Sequence, residues 1–137
     1  MDTFYEEDIL GEGFQRTTLS LRDDYEGSAG ATLVRRLSDT GNGRSVLYIH
    51  GFNDYFFQRE MAWRLNERGF HFYALDLRKY GRSWLSHQKF NDIRDIRAYF
   101  EEITLALQMI REEGSRITVL LGHSTGGLIA TLYAKEH

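Results

Sequence analysis

Neither cysteine nor proline occurs among the 137 residues. Without cysteine there is no disulfide, no thiol nucleophile and no cysteine-bound zinc or iron–sulfur cluster. That usage suits a reducing compartment, and the expected location is the cytoplasm. Without proline, every turn must be made by Gly, Asn, Asp and Ser. No apolar run approaches the roughly 20 residues that cross a bilayer as a helix, so no membrane span is expected. The first eight residues, Met1 to Asp8, are acidic and lack the basic-then-apolar order of a secretory signal. A formal charge of -3 supplies no electrostatic reason to expect nucleic acid or an anionic membrane as partner. What is present is 42% hydrophobic, 14% aromatic and 27% charged, the composition of a folded domain. The length suits one domain, 1–137.

Phe14 to Leu21 and Ala31 to Leu37 read as strands separated by the polar segment 22–30. Asp39-Thr40-Gly41-Asn42-Gly43 is a turn of residues that tolerate positive φ. Ser45 to His50 is an apolar run without alternation, as expected of a strand covered on both faces. Phe57, Met61 and Leu65 recur every four residues before Gly69, which predicts a helix with a glycine stop. Phe70 to Leu75 is a second buried strand. Asn91-Asp92 are good N-cap types, and Ile93, Ile96, Phe100, Ile103, Leu107 and Ile110 then fall on one helical face. Ile117 to Leu121 is a third buried strand, running straight into Gly122-His123-Ser124-Thr125-Gly126-Gly127 and a final helix. The order β-β-β-α-β-α-β-α predicts an α/β fold, a mostly parallel sheet with helices on both faces. In such sheets chemistry gathers where strands end and helices begin.

Gly122-His123-Ser124-Thr125-Gly126 matches G-x-S-x-G at a strand-to-helix junction, the context that motif requires. A nucleophile lifted clear of a sheet needs a very tight bend in strained dihedrals. Side chains two residues to either side would collide there, and Gly122 and Gly126 avoid this. The expected nucleophile is Ser124, and the helix start beneath it favours developing negative charge. An oxyanion hole needs two backbone N–H groups: that of Thr125, and one from the loop after an earlier strand. Gly51 permits a sharp departure from such a strand, and the Phe52 N–H is the expected second donor. His50 is read as a structural side chain. Tyr55, Phe56 and Trp84 could line a pocket, though ordinary packing explains them equally well.

Three stretches carry a family resemblance: Tyr48-Ile49-His50-Gly51-Phe52-Asn53-Asp54-Tyr55, Asp76-Leu77-Arg78-Lys79-Tyr80-Gly81-Arg82-Ser83, and Gly122 to Gly127. Their order and spacing resemble the α/β-hydrolase superfamily, and within it the lysophospholipase, monoacylglycerol lipase and serine-aminopeptidase-like group. Lys79 stands where that group usually has glycine. The resemblance implies a serine hydrolase of small-molecule carboxylic esters or acyl compounds, working without metal or cofactor.

It also implies a triad acid and histidine downstream of Ser124. Of the residues after Ser124, only Glu136 and His137 have suitable side chains, and the helix rise puts them about 18–20 Å away. His71, His87 and His123 are disfavoured by position. Ending at His137 would also leave Ile117 to Leu121 as an open apolar edge and the face of the Asn91 helix poorly covered. The chain is therefore expected to be the N-terminal part of an α/β-hydrolase domain, inactive alone. The rest of the fold would come from a C-terminal part or a partner chain. One alternative is a non-catalytic half-domain that assembles through its open sheet edge. Another, a phosphate-cradling Gly122-x-Ser124-x-x-Gly127 turn, is disfavoured because it follows the last strand rather than the first. Serine at the bend disfavours relatives with an aspartate nucleophile.

Overall fold

The computed structural model describes residues 4–137. Val46 and Tyr48 point to one side of the sheet and Leu47 and Ile49 to the other, so strand β4 (Arg44–Ile49) has to be covered on both faces. Strand β5 (Phe70–Asp76) repeats the pattern, with Phe72 and Ala74 opposite Tyr73 and Leu75. Helix α1 (Arg59–Glu67) closes the first face through Ala62 over Phe14, Val34 and Phe56. Helices α2 (Phe100–Glu112) and α3 (Thr125–Glu136) close the second through Ile103, Ala106, Ile110, Ile129 and Tyr133.

With β1 (Glu6–Glu7), β2 (Gln15–Asp24), β3 (Gly27–Arg36) and β6 (Ile117–Gly122), the sheet has six strands in the order β1-β2-β3-β5-β4-β6. From β4 the chain crosses to β5 on one side, then passes back to β6 on the other. Right-handed crossovers in opposite directions put α1 and α2 on opposite faces. The expected α/β architecture is thus present in mixed form. β5, β4 and β6 are mutually parallel, and β1, β2 and β3 join antiparallel.

Four local expectations are corrected. The polar segment 22–30 is a hairpin, with ladder pairing reaching Asp24↔Gly27 past an irregularity after Leu21. Backbone hydrogen bonds continue there although the apolar pattern has stopped. The helix expected from Asn91 begins later: Asn91 has φ +60, and Asp95 caps a 3-10 turn, Ile96–Tyr99, that leads into α2. Ile93 and Ile96 still pack against the α2 core, which is why the periodicity ran past the helix. Phe57 precedes α1 and is half-exposed. The apolar face of α2 is well covered, with Ile103, Ala106 and Ile110 inaccessible against the β2, β3 and β5 core. β6 has the apolar run of a buried strand but lies at the sheet edge among the described residues, the expected open apolar edge, with Ile117, Val119 and Leu121 substantially exposed.

Lys79 has φ +68, the left-handed conformation a glycine would adopt without penalty. A lysine there costs roughly 1–2 kcal/mol, and its buried ammonium offsets this by contacting Asp24 Oδ2 at 2.7 Å and Glu26 Oε1 at 2.6 Å on the β2–β3 hairpin. Lys79 thereby fastens the hairpin tip to the loop after β5. Burial works against the Lys79 charge, but the two carboxylates raise its pKa overall. Burial likewise opposes the Asp24 charge, yet Lys79 brings its pKa below the ordinary 3.8. The Lys79 hydrogen bond chiefly lowers that of Glu26 from 4.5. Carboxylates with lowered pKa stabilise the fold above their ordinary values, and this is lost as pH falls through the lowered ones. K79M is therefore expected to lower the thermal midpoint at pH 7, with the gap to the parent closing as pH falls below 3.8. Thermal melts of both proteins across that range check it, and a gap independent of pH would contradict the pairing.

Candidate functional site

β6 turns into α3 within two residues, and Ser124 sits at the corner with φ 56 and ψ -121, a conformation serine adopts only under local constraint. Its side chain is on the surface. The flanking glycines have measurable reasons. A Cβ on Gly122 would stand 2.4 Å from the Gly126 carbonyl oxygen, and one on Gly126 would stand 2.1 Å from that of Ile49 and 2.5 Å from that of His50. Gly127 differs, since its Cβ would meet nothing closer than 3.6 Å.

The loop after β4 abuts this corner. A Cβ on Gly51 would lie 3.2 Å from Ser124 Cβ and 3.2 Å from the His123 carbonyl oxygen. Next along the chain, Phe52 projects outward, 66% exposed. The orientation of the Gly51–Phe52 peptide is held by buried His50. Its Nδ1 donates to the Gly51 carbonyl at 2.8 Å, and its Nε2 accepts the Leu77 N–H at 3.0 Å. A carbonyl partner on one nitrogen and an N–H partner on the other specify the neutral ring with the proton on Nδ1. Burial lowers the His50 pKa and keeps that form. Because the peptide is trans and planar, tethering the Gly51 oxygen turns the Phe52 N–H the opposite way. Among the described residues, neither this N–H nor that of Thr125 finds a protein acceptor.

Three of the other histidines are engaged away from Ser124. His71 Nδ1 accepts from the Ser38 N–H at the far end of the sheet, and His87 Nε2 meets the Ser28 carbonyl. His137 bonds to the Tyr133 carbonyl and stacks on that ring at 4.1 Å, while Glu136 pairs with Arg97. His123 is exposed.

Of the aromatic residues expected near a pocket, Tyr55 is half-exposed and Trp84 stacks on Phe90 at 4.5 Å. Phe56 is corrected: it is fully buried in the α1-side core between Phe14, Tyr48 and Phe72. One residue of shift along the loop exchanges outside for inside, which composition does not reveal. Sequence reasoning also missed Phe90 and the tie from Asn91 Nδ2 to Asn53 Oδ1 at 3.1 Å, which joins the Trp84 loop to the Phe52 loop. Two asparagines at positive φ, 53 and 91, were the available signal. A cleft of about 820 Å³ lined by Glu12, Arg36, Ser38, Trp63 and Asn66 opens at the opposite end of the sheet from Ser124. Its Arg36 and Asn66 bond to each other at 2.6 Å. No helix among the described residues is long and apolar enough to cross a membrane.

Parallel strands β5-β4-β6, helices on both faces, and a glycine-flanked serine at the β6–α3 corner make this the N-terminal part of an α/β-hydrolase fold. The serine aminopeptidase S33 family, Hydrolase_4, matches residues 42–137, and the chain belongs to it. It is 33% identical over 106 residues to the AB hydrolase superfamily protein YisY of Bacillus subtilis (strain 168), a match spanning 74% of this chain and 35% of that protein. Among solved structures, a thermostable carboxyl esterase from Bacillus coagulans shares 20% identity at a TM-score of 0.69, covering 87% of this chain and 39% of its own. A soluble variant of monoglyceride lipase from Saccharomyces cerevisiae shares 23% at 0.62, covering 86% and 38%. At that identity the likeness is one of fold. The chain thus spans little more than a third of the length of these relatives.

Proposed function

We propose that the whole protein is a serine hydrolase of small carboxylic esters, of lysophospholipase or monoacylglycerol lipase type, with Ser124 as nucleophile. The carrying observation is the strained, surface-facing serine at φ 56 with Gly51 packed against its Cβ. Ser124 Oγ attacks the acyl carbonyl, and the N–H groups of Phe52 and Thr125 receive the oxygen as it becomes negative. A general base must reach the serine hydroxyl; His50, His71, His87 and His137 are committed to other partners, and the family order places the triad histidine after the nucleophile, which His123 precedes. The triad histidine and acid therefore come from the remainder of the whole protein, and this chain alone is inactive. The chemistry requires no cofactor. Tyr55 and Trp84 flank the near side of the acyl site. Fluorophosphonate labelling of the folded whole protein should give one adduct, on Ser124, and no adduct would reject the proposal.

His50 acts here as a positioning residue. H50N keeps a donor where Nδ1 stands, whereas H50Q keeps only an acceptor near Nε2. H50N should retain at least about tenfold more kcat than H50Q, because a misplaced oxyanion donor costs one to three orders of magnitude. Equal losses in steady-state kinetics would remove His50 from this role.

The exposed Ile117, Val119 and Leu121 at the β6 edge favour a second reading, in which this chain is a non-catalytic half-domain that pairs with another chain through β6. It fails if the isolated chain is monomeric and unfolded by circular dichroism.

A further inference from the structure

The family match begins at residue 42, yet a carboxylate ahead of it reaches the loop that carries Phe52. Asp8, between β1 and β2, has a side chain with no exposed surface. Its two oxygens accept from Arg82 Nε at 2.8 Å and Nη2 at 2.9 Å, a two-pronged grip on the guanidinium. The third nitrogen, Nη1, donates to the Phe56 carbonyl at 2.8 Å and to Asp76 Oδ2 at 2.9 Å. Asp76 Oδ1 in turn accepts the Phe56 N–H at 2.9 Å, so both backbone groups of Phe56 are tied. Asp8 is itself held by the Leu10 N–H on Oδ2 and by its own N–H to the Phe14 carbonyl. Burial opposes its charge, but Arg82, the Leu10 N–H and Arg16 outweigh burial and lower its pKa.

His50 secures the near end of the Gly51–Phe57 loop, and this relay secures the far end. We propose that Asp8, acting through Arg82, is a positioning residue for the loop that presents the Phe52 N–H. The N-terminal segment outside the family match thereby takes part in setting the oxyanion site. The physical reason is the buried guanidinium. Without Asp8, two of its three nitrogens lose their acceptors, and it gains by turning toward water and releasing the Phe56 carbonyl. The inference rests on the proposed role of Phe52.

The test uses D8N in the whole protein, isosteric but uncharged, with D8E as the conservative variant. D8N is expected to remain folded, to lose about tenfold or more in kcat with KM within about twofold, and to bind a boronic-acid inhibitor correspondingly more weakly. Hydrogen exchange at the Phe56 amide, which is bonded to Asp76 Oδ1, should accelerate at least about tenfold, and D8E should restore part of each loss. If D8N does not fold, R82K carries the same thresholds, since lysine keeps the charge but cannot grip Asp8, Asp76 and the Phe56 carbonyl together. A folded variant with unchanged kcat, or one that loses only thermal stability, overturns the inference. If the parent protein neither turns over esters nor takes a fluorophosphonate, the proposed function falls separately. The exchange rate of the Phe56 amide in D8N then decides the relay alone.

Discussion

S124A is expected to lower ester turnover by the whole protein by about 10⁵-fold and to abolish fluorophosphonate labelling, while leaving its thermal midpoint nearly unchanged. The effect is large because no other side chain at the β6–α3 corner can replace the hydroxyl. Thr125 begins helix α3, and the remaining neighbours are Gly122, His123, Gly126 and Gly127. The fold is spared because Ser124 is on the surface and its side chain makes no hydrogen bond among the described residues. What activity survives would come from the two N–H groups and substrate binding alone, which in triad enzymes still exceed the uncatalysed rate. Retention of more than about 1% of turnover by a folded S124A protein would place the nucleophile elsewhere.

G126A should be the most damaging single methyl group in the chain. Its Cβ would stand 2.1 Å from the Ile49 carbonyl oxygen and 2.5 Å from that of His50, both backbone atoms. The Ile49 carbonyl cannot yield freely, because it accepts the His123 N–H at 3.1 Å and belongs to the β4–β6 ladder. Relief requires prying α3 away from β4, at a cost of about 3 kcal/mol or more. For a protein of 150–250 residues that is a fall in melting temperature of about 6–12 °C, and less for a longer one. G127A, one position on, supplies the control. Its methyl meets an ordinary 3.6 Å contact, and alanine suits a helix better than glycine by about 0.8–1 kcal/mol. G127A should therefore melt within a degree or two of the parent, or above it. Equal melting temperatures for G126A and the parent would mean that the helix does not lie against β4 as described.

The glycine spacing around Ser124 and the apolar runs of β4 and β5 were legible because each is a local demand. A bend that tight excludes side chains wherever it occurs, and a strand covered on both faces shows no alternation. The same locality explains the misreadings. Ile93 and Ile96 share the helical period of α2 because they join its core, although the backbone there is a loop and a 3-10 turn. Phe56 and Phe57 are indistinguishable by composition, yet one is sealed inside and the other half outside, since only the path of the loop around Asp76 and Arg82 separates them.

The amino-acid sequence by itself determined the class of fold, the position of the serine corner and the absence of thiol and disulfide chemistry. It did so through spacing and residue type, which act over a few neighbouring positions. Only the tertiary structure decided that Lys79 keeps a glycine-like conformation by gripping the β2–β3 hairpin, and that His50 orients the Gly51 peptide. It alone showed Asp8 reaching the same loop through Arg82. The anchoring contacts, His50 to Leu77, Lys79 to Glu26 and Asp8 to Arg82, join residues 27 to 74 positions apart, and no local pattern encodes which buried polar group will find which partner.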